Sequence, residues 1–407
     1  LFKGLKVEKV VIPLPEEDRI CPVCGTQMVL IGEEYVRREL EFIPATCKVI
    51  EYYSQSYGCP SCKEGLGDTE KPVIVKSQVP AALVGKGPAS ASTVAWTMYQ
   101  KYANGLPLYR QEKDWKQYGA QISRTTLANW IIYCSQNYFQ PMYDYFHREL
   151  LKRSFAMADE TRVQVLNEEG RRAQTQSFMW LFRSGEDGLP VIILYGYSPT
   201  RSGSHAKEFL EGYSGYLETD GYQGYNNLPG IRRCSCWAHI RRYFIDAVPK
   251  GRQYDYSQPA VQGVQYCNRL FAIEDSINKK YPGDYEKRNQ MRLEKEKPVL
   301  EAFWAWLGQQ KPVRNTRMDK AVNYVLNRRD TAETYLEDGR CSFTNNLSEN
   351  AIRPFAVGRK NWLFSSSVEG ANASAAVYTM VEMAKANGLN IYEYLKFLLE
   401  HRPSKDM

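Results

Sequence analysis

Between residues 155 and 225 the chain alternates short apolar runs with polar turns in the rhythm of strands. FAMADETRVQVL opens this stretch and YLETDGYQGY closes it; each reads as a short apolar strand that ends on a carboxylate, Asp159 and then Asp220. QSFMWLFR (176–183) and VIILYGYS (191–198) supply two further strands between them. SHAKEFLEGY (204–213) has the spacing of a helix, and IRRCSCWAHIRRYFIDAV (231–248) gives a last strand followed by a helix.

The flanking segments have a helical period. STVAWTMYQKYANG (92–105) predicts one helix, and LPLYRQEKDWKQYG (106–119) a second, with Pro107 in its first turn and Gly119 at its stop. A third runs from Arg124 to about Cys134 behind Ser123 as N-cap. Short helices around a glycine turn read as a helix-turn-helix region, which would aim Arg124, Thr125, Ala128 and Asn129 at a major groove. A plain helical bundle between two domains is the alternative. Residues 255–340 are mainly helical and interrupt the α/β pattern; the Phe303, Trp304, Trp306 cluster there is at core spacing. In TNNLSENAIRP, Asn345 or Asn346 caps a helix that carries Glu349, with Arg353 on its face four residues on and Arg359 and Lys360 near its end. NASAAVYTMVEMAKANG and IYEYLKFLLEHR close the chain as a helix pair.

Near the amino terminus, CPVCG (Cys21, Cys24) and YGCPSC (Cys59, Cys62) form two CxxC knuckles. Four thiolates in such turns suit one closed tetrahedral, structural zinc, with a redox dithiol as the weaker alternative. YVRRELEFIP and CKVIEYYSQSYG between them alternate like the strands of a zinc ribbon. Cys47 lies off both knuckles and is expected in a core.

With 407 residues the chain exceeds one ordinary core. A net charge of +7 favours a polyanionic partner. No apolar run approaches the roughly 20 residues that span a bilayer. The ten cysteines, without an amino-terminal signal pattern, fit a reduced, cytoplasmic compartment rather than a disulfide framework. Leu1 in place of an initiator Met leads us to expect upstream sequence.

The chemistry lies in a set of acids. Asp159, Asp220 and Glu349 at one edge of a sheet can hold a pair of divalent metals, the arrangement that clamps the attacking and leaving oxygens of a phosphodiester. Glu160 is a rival to Asp159, but strand alternation turns it to the opposite face. CSCWAH (Cys234, Cys236, His239) offers a second metal cluster as the weaker reading, since it lacks an obvious fourth ligand; the stronger reading sets His239 at the site edge as a phosphate contact or proton partner. Arg232, Arg233, Arg241 and Arg242 make a basic stripe beside Asp220, and Arg359 and Lys360 could hold phosphates. Strand, strand, strand, helix, strand, strand, helix order with acids at strand ends resembles the RNase H-like layout and predicts such a catalytic core.

CPVCG with YGCPSC, GLPLYRQE, ISRTTLANW, MADETRVQVL, TDGYQGY, CWAHIRRYF, TNNLSENAIRPFAVGRKNWLFS and AKANGLNIYEYL together resemble the insertion-sequence transposases of the IS-sixty-six group, within the wider DDE class. The resemblance runs from about Pro13 to His401. It implies an RNase H-like core with a helical insertion, and two magnesium ions (manganese as the substitute) on Asp159, Asp220 and Glu349. It implies double-stranded DNA partners (terminal repeats and target), a homo-oligomer on paired ends and a cytoplasmic, nucleoid-associated location, and it leaves room for helper proteins. CWAH matches a CxxH string found after the second Asp in several DDE groups. Asn350 departs from the Arg that members often place after the Glu, and a longer amino-terminal, coiled-coil-like segment usual in members is absent from this sequence.

The expected organisation is a tail (1–20), zinc ribbon (21–70), linker (71–88), helix-turn-helix region (89–150), first part of the core (151–254), helical insertion (255–340), final part of the core with Glu349 (341–364) and closing helices (365–407). Two other functions fit the same motifs: a nuclease or resolvase of this fold that cuts without joining, and a DNA-binding regulator with an inert core.

Overall fold

The computed structural model describes residues 7–37, 46–59, 74–85 and 87–402. It divides into two compact units, Leu1–Ile50 and Glu51–Met407. In the first, an isolated bridge between Ile20 and Gln27 frames a tight turn. Cys21 N donates to Thr26 O at 2.9 Å and Gly25 N to Cys21 O at 2.9 Å. Gly25 sits at φ +70°, a conformation that a side chain would disfavour, so the turn needs glycine behind Cys24. Residues 28–37 carry no strand. The expected ribbon strand over YVRRELEFIP is thus not seen at 35–37, and its remainder, residues 38–44, lies outside the described residues. A strand pair forms in the second unit: β1 (Ser56–Gly58), at the end of the strand-like run CKVIEYYSQSYG, pairs antiparallel with β2 (Ile74–Lys76), which lies in the stretch expected to be linker.

Next come helices α1 (Ala91–Met98), α2 (Leu108–Gln117), α3 (Arg124–Cys134) and α4 (Gln140–Leu151). Their limits follow from the punctuation: Pro107 precedes α2, Gly119 at φ +84° releases the chain after it, and Ser123 caps α3 by accepting from Thr126 N at 3.1 Å. Leu127, Trp130, Ile131 and Cys134 bury one face of α3.

The sheet is built from β3 (Phe155–Asn167), β4 (Gln176–Ser184), β5 (Ile193–Ser198), β6 (Gly215–Thr219) and β7 (Ile231–Ser235), in the order β5-β4-β3-β6-β7. Strands β3, β4 and β5 form an antiparallel meander, and β6 and β7 extend it in parallel to β3. Parallel β6 requires a crossover, supplied by α5 (Gly203–Phe209), which stops four residues before the expected Tyr213. The first half of β3, Phe155 to Ala158, is buried throughout because both faces of the sheet are covered. Its period of two divides the cores: Ala156 and Ala158 join one apolar cluster, Phe155 and Met157 the other.

Helix α6 (Trp237–Ala247) leaves β7 and leads into the helical insertion: α7 (Pro259–Lys280), α8 (Tyr285–Lys295), α9 (Lys297–Gly308), α10 (Arg317–Leu326) and α11 (Arg329–Ala332). Phe303 and Trp304 are buried with Trp237, as core spacing predicted. Within the insertion Arg292 bridges buried Glu274 at 2.6 Å. The chain then returns as α12 (Asn346–Trp362), which packs on β3, and as β8 (Ser365–Ser367), which pairs with the far end of β3. Helix α13 (Val368–Ala386), buried along most of its length, covers β5, and α14 (Ile391–Glu400) packs on α1. Among the described residues no helix is long and apolar enough to cross a membrane.

Candidate active site

Asp159 lies in the middle of β3, not at its end: the strand continues to Asn167, paired with β4 as far as Gln164 and with a later strand at Val165 and Asn167, and buries Val163 and Val165 on one face. Asp220 directly follows β6, and its carboxylate accepts from Tyr222 N at 2.8 Å, an Asx-type turn. Glu349 stands in the first turn of α12. Asp220 and Glu349 both lie near enough to Asp159 for their charges to act on its carboxyl. Asp159 keeps its proton up to about 8, raised chiefly by burial and then by Glu160, Asp220 and Glu349 around it.

Glu160 faces away from Asp159, as alternation predicts. Its carboxylate accepts from Arg201 Nε at 2.8 Å and from Tyr225 Oη at 2.5 Å, while burial raises its proton affinity. Arg201 in turn lies over the Tyr222 ring at 3.9 Å. Tyr222 and Tyr225 lie within TDGYQGY, whereas Arg201 carries no sequence signature.

Asn345 occupies the N-cap position of α12, yet its side chain caps nothing there. Instead Nδ2 donates to Ala158 O on β3 at 3.1 Å, and its backbone N–H points at Cys236 Sγ at 3.1 Å. This buried residue fixes the start of the Glu349 helix against both the Asp159 strand and the entry to α6. His239, one turn into α6, brings Nε2 to 3.7 Å from Glu349 Oε1. Burial lowers the pKa of His239, so the imidazole is favoured neutral. Both His239 Nδ1 and Glu349 Oε1 are buried without a hydrogen-bond partner.

The basic stripe divides. Arg233 does not face outward: Nε donates to Thr219 Oγ1 at 2.8 Å and Nη2 to Tyr222 O at 3.1 Å, with further bonds to Asp220 O and Asn226 Oδ1. Arg232 pairs with Glu337, Nε to Oε2 at 3.1 Å, and Arg241 donates to Asn268 Oδ1 at 2.6 Å. Arg242 is exposed. From the insertion, Arg328 donates to Gly221 O at 2.7 Å and covers the Tyr324 ring at 3.7 Å, a contact to the Asp220 loop that its position far along the chain concealed. Beyond Glu349, Arg353 and Lys360 are exposed, while Arg359 reaches Thr161 Oγ1 on β3 at 3.4 Å. Arg124, Thr125 and Asn129 are exposed on α3 and Ala128 is half-buried; Arg124 N donates to Glu112 Oε1 at 3.1 Å.

At the amino-terminal knuckle, Cys24 Sγ lies 3.4 Å from Thr26 Oγ1. Its thiol is held below the usual range by hydrogen bonds from Thr26 and then from Cys21, the direction that favours a thiolate ligand. Cys59 follows β1, Cys62 lies outside the described residues, and Cys47 is exposed rather than in a core.

The model described as Transposase IS66 family matches residues 86–373, and that of the zinc-finger binding domain of transposase IS66 matches residues 18–63. Two proteins of Sinorhizobium fredii (strain NBRC 101917 / NGR234) are similar along nearly the whole chain. Uncharacterized protein y4qI is 30% identical over 408 residues, covering 96% of this chain and 71% of its own, and uncharacterized protein y4hP is 28% identical over 414 residues with the same coverage. The zinc-finger match encloses both CxxC sequences up to Cys62, and the transposase match encloses Asp159, Asp220 and Glu349. The chain belongs to the IS66 family of transposases, DNA-processing enzymes, and carries that family's zinc-finger domain.

Proposed function

We propose that this protein binds the terminal repeats of its element and catalyses metal-dependent strand cleavage and strand transfer, with Asp159, Asp220 and Glu349 as the catalytic acids. One observation carries the proposal: acids from β3, from the end of β6 and from α12 share a single electrostatic environment in which Asp159 resists ionising. Oxygen donors that repel one another and a buried, unpartnered Glu349 Oε1 fit divalent cations with oxygen preference, which we take to be two magnesium ions. When bound, such a pair supplies charge stabilisation to the attacking and leaving oxygens of the phosphodiester. The chain's own part is positional. Arg233 and Arg328 fix the Asp220 loop, Asn345 fixes the start of the Glu349 helix, and exposed Arg242, Arg353 and Lys360 can take phosphates.

An RNase H-like core is supported by the strand order, a three-stranded meander extended by two parallel strands, with the insertion between β7 and α12. The pair α2–α3, with Arg124, Thr125 and Asn129 exposed, supports major-groove reading by a helix-turn-helix. We take the active form to be an oligomer on paired DNA ends in the bacterial cytoplasm.

The test is cleavage and joining of a labelled duplex carrying the element's end, in magnesium. Asp220→Asn and Glu349→Gln are expected to retain end binding and to lose both steps. Cleavage surviving in Glu349→Gln removes that residue from the set, and cutting without joining favours a nuclease. The cysteines Cys21, Cys24, Cys59 and Cys62 are assigned one structural zinc. Cys21→Ser is expected to lower bound zinc by one equivalent and weaken end binding, while unfolding of the core stays within a few tenths of a kcal/mol. Unchanged zinc content overturns that assignment.

A further inference from the structure

We infer that Cys236, His239 and Glu349 form a second metal site, for a transition cation of zinc's class rather than for magnesium. One donor atom from each of the three lies within 4.8 Å of the other two. Tetrahedral zinc needs ligand atoms about 3.5 Å apart, so closure by about 1 Å suffices. His239 Nε2 and Glu349 Oε1, already 3.7 Å apart, meet that spacing. His239 and Glu349 are only half-buried and have side chains that can rotate to close it. Three protein ligands and one open position is the coordination of a non-structural zinc.

The surroundings suit a metal-bound sulfur. Cys236 precedes the first turn of α6, an eleven-residue helix, and backbone N–H groups of Asn345, His239 and Ala238 point at its Sγ. Such donors, with the positive end of the helix, would share the charge of a metal-bound sulfur, although burial pushes the free thiol up to about 12. Glu349 Oε1 and His239 Nδ1 are buried without partners, so the cluster is unsatisfied as it stands. Sulfur and imidazole select zinc or cobalt and not magnesium, whose ligands are oxygens. CSCWAH taken by itself does not reveal this set. Its other cysteine, Cys234, is engaged with Cys341, and the third ligand arrives from α12.

Glu349 belongs to both sets. Resting on the transposase reading, zinc on its Oε1 competes for the carboxylate that faces Asp159 and Asp220 and opposes magnesium-dependent cleavage.

The experiment titrates zinc into the full-length, chelator-stripped protein against a chromophoric competitor. The wild type is expected to take one equivalent beyond the cysteine finger, and His239→Ala, Cys236→Ser and Glu349→Gln are each expected to lose that equivalent while keeping the other. Cobalt in place of zinc adds a thiolate-to-metal absorption component that Cys236→Ser removes. Circular dichroism verifies folding; if buried Cys236→Ser unfolds, the half-buried His239→Ala carries the test. Zinc content equal in the wild type and folded His239→Ala overturns the site. Strand cleavage absent in magnesium would instead sink the transposase reading and leave the zinc count untouched.

Discussion

In metal-free protein at pH 8, Asp159→Asn is expected to raise the unfolding temperature by several degrees while abolishing strand cleavage. The sign follows from the proton. In the unfolded chain this carboxyl ionises near 3.8, whereas in the folded site it holds its proton up to about 8. The unfolded state therefore releases the proton first, and folding loses stability as pH rises through that interval. Burial and the negative neighbours make the folded charge costly, on the order of a few kcal/mol at pH 8, and an amide removes the cost. At pH 4 the two proteins should unfold at similar temperatures. Magnesium should stabilise the wild type, and the amide should blunt that gain. Thermal unfolding across pH 4 to pH 8, with and without magnesium, checks all of this. A wild type more stable than Asp159→Asn at pH 8 without metal would show that the acids do not crowd one another.

Arg233→Ala should be the most damaging single change among the stripe arginines. The guanidinium satisfies Thr219, Asn226 and the carbonyls of Asp220 and Tyr222 from one planar fork. Its removal leaves partly buried acceptors without donors and frees the loop that carries Asp220, costing about 3 kcal/mol or more. Lysine, with one ammonium in place of the fork, should recover only a minor part. Were Arg233 a phosphate contact, its loss would instead reduce the salt dependence of DNA binding by about one counterion and spare folding. Denaturant unfolding beside DNA titrations at several salt concentrations separates the two roles.

Much of this architecture is legible in the amino-acid order. Strands β4 to β7 and helices α2, α3 and α12 fall within a few residues of the runs that predict them, because alternation, proline, glycine and serine caps act locally. The opposite facing of Glu160 also follows from strand period alone. What stayed hidden is non-local. Asn345 looks like a helix cap and is a cross-link to Ala158, and Arg233 looks like a DNA contact and is a brace for Asp220. Arg328 lies more than a hundred residues from the loop that it holds. Strand β8 is three serines, with no apolar signal to mark it. The extension of β3 past Asp159 was masked because an acid in mid-strand looks like a turn.

The helical insertion leaves and re-enters through a narrow neck. Trp237 N donates to Phe343 O at 3.2 Å, and Asn345 N meets Cys236 Sγ, so departure and return points touch. In polymer terms the lobe is a loop already closed at its base, and closure entropy grows only with the logarithm of length. Its size is thus thermodynamically decoupled from the position of Glu349. The core can tolerate a longer, shorter or nicked lobe, provided that the lobe keeps the apolar cluster that it shares with Phe155, Met157 and Trp237, and the Arg328 contact. A protease cut in the exposed 249–258 segment should leave the three acids together, which magnesium-dependent stabilisation of the nicked protein would register. Evolution has, in effect, a plug-in position here, where new surface can be added without re-solving the geometry of the acids.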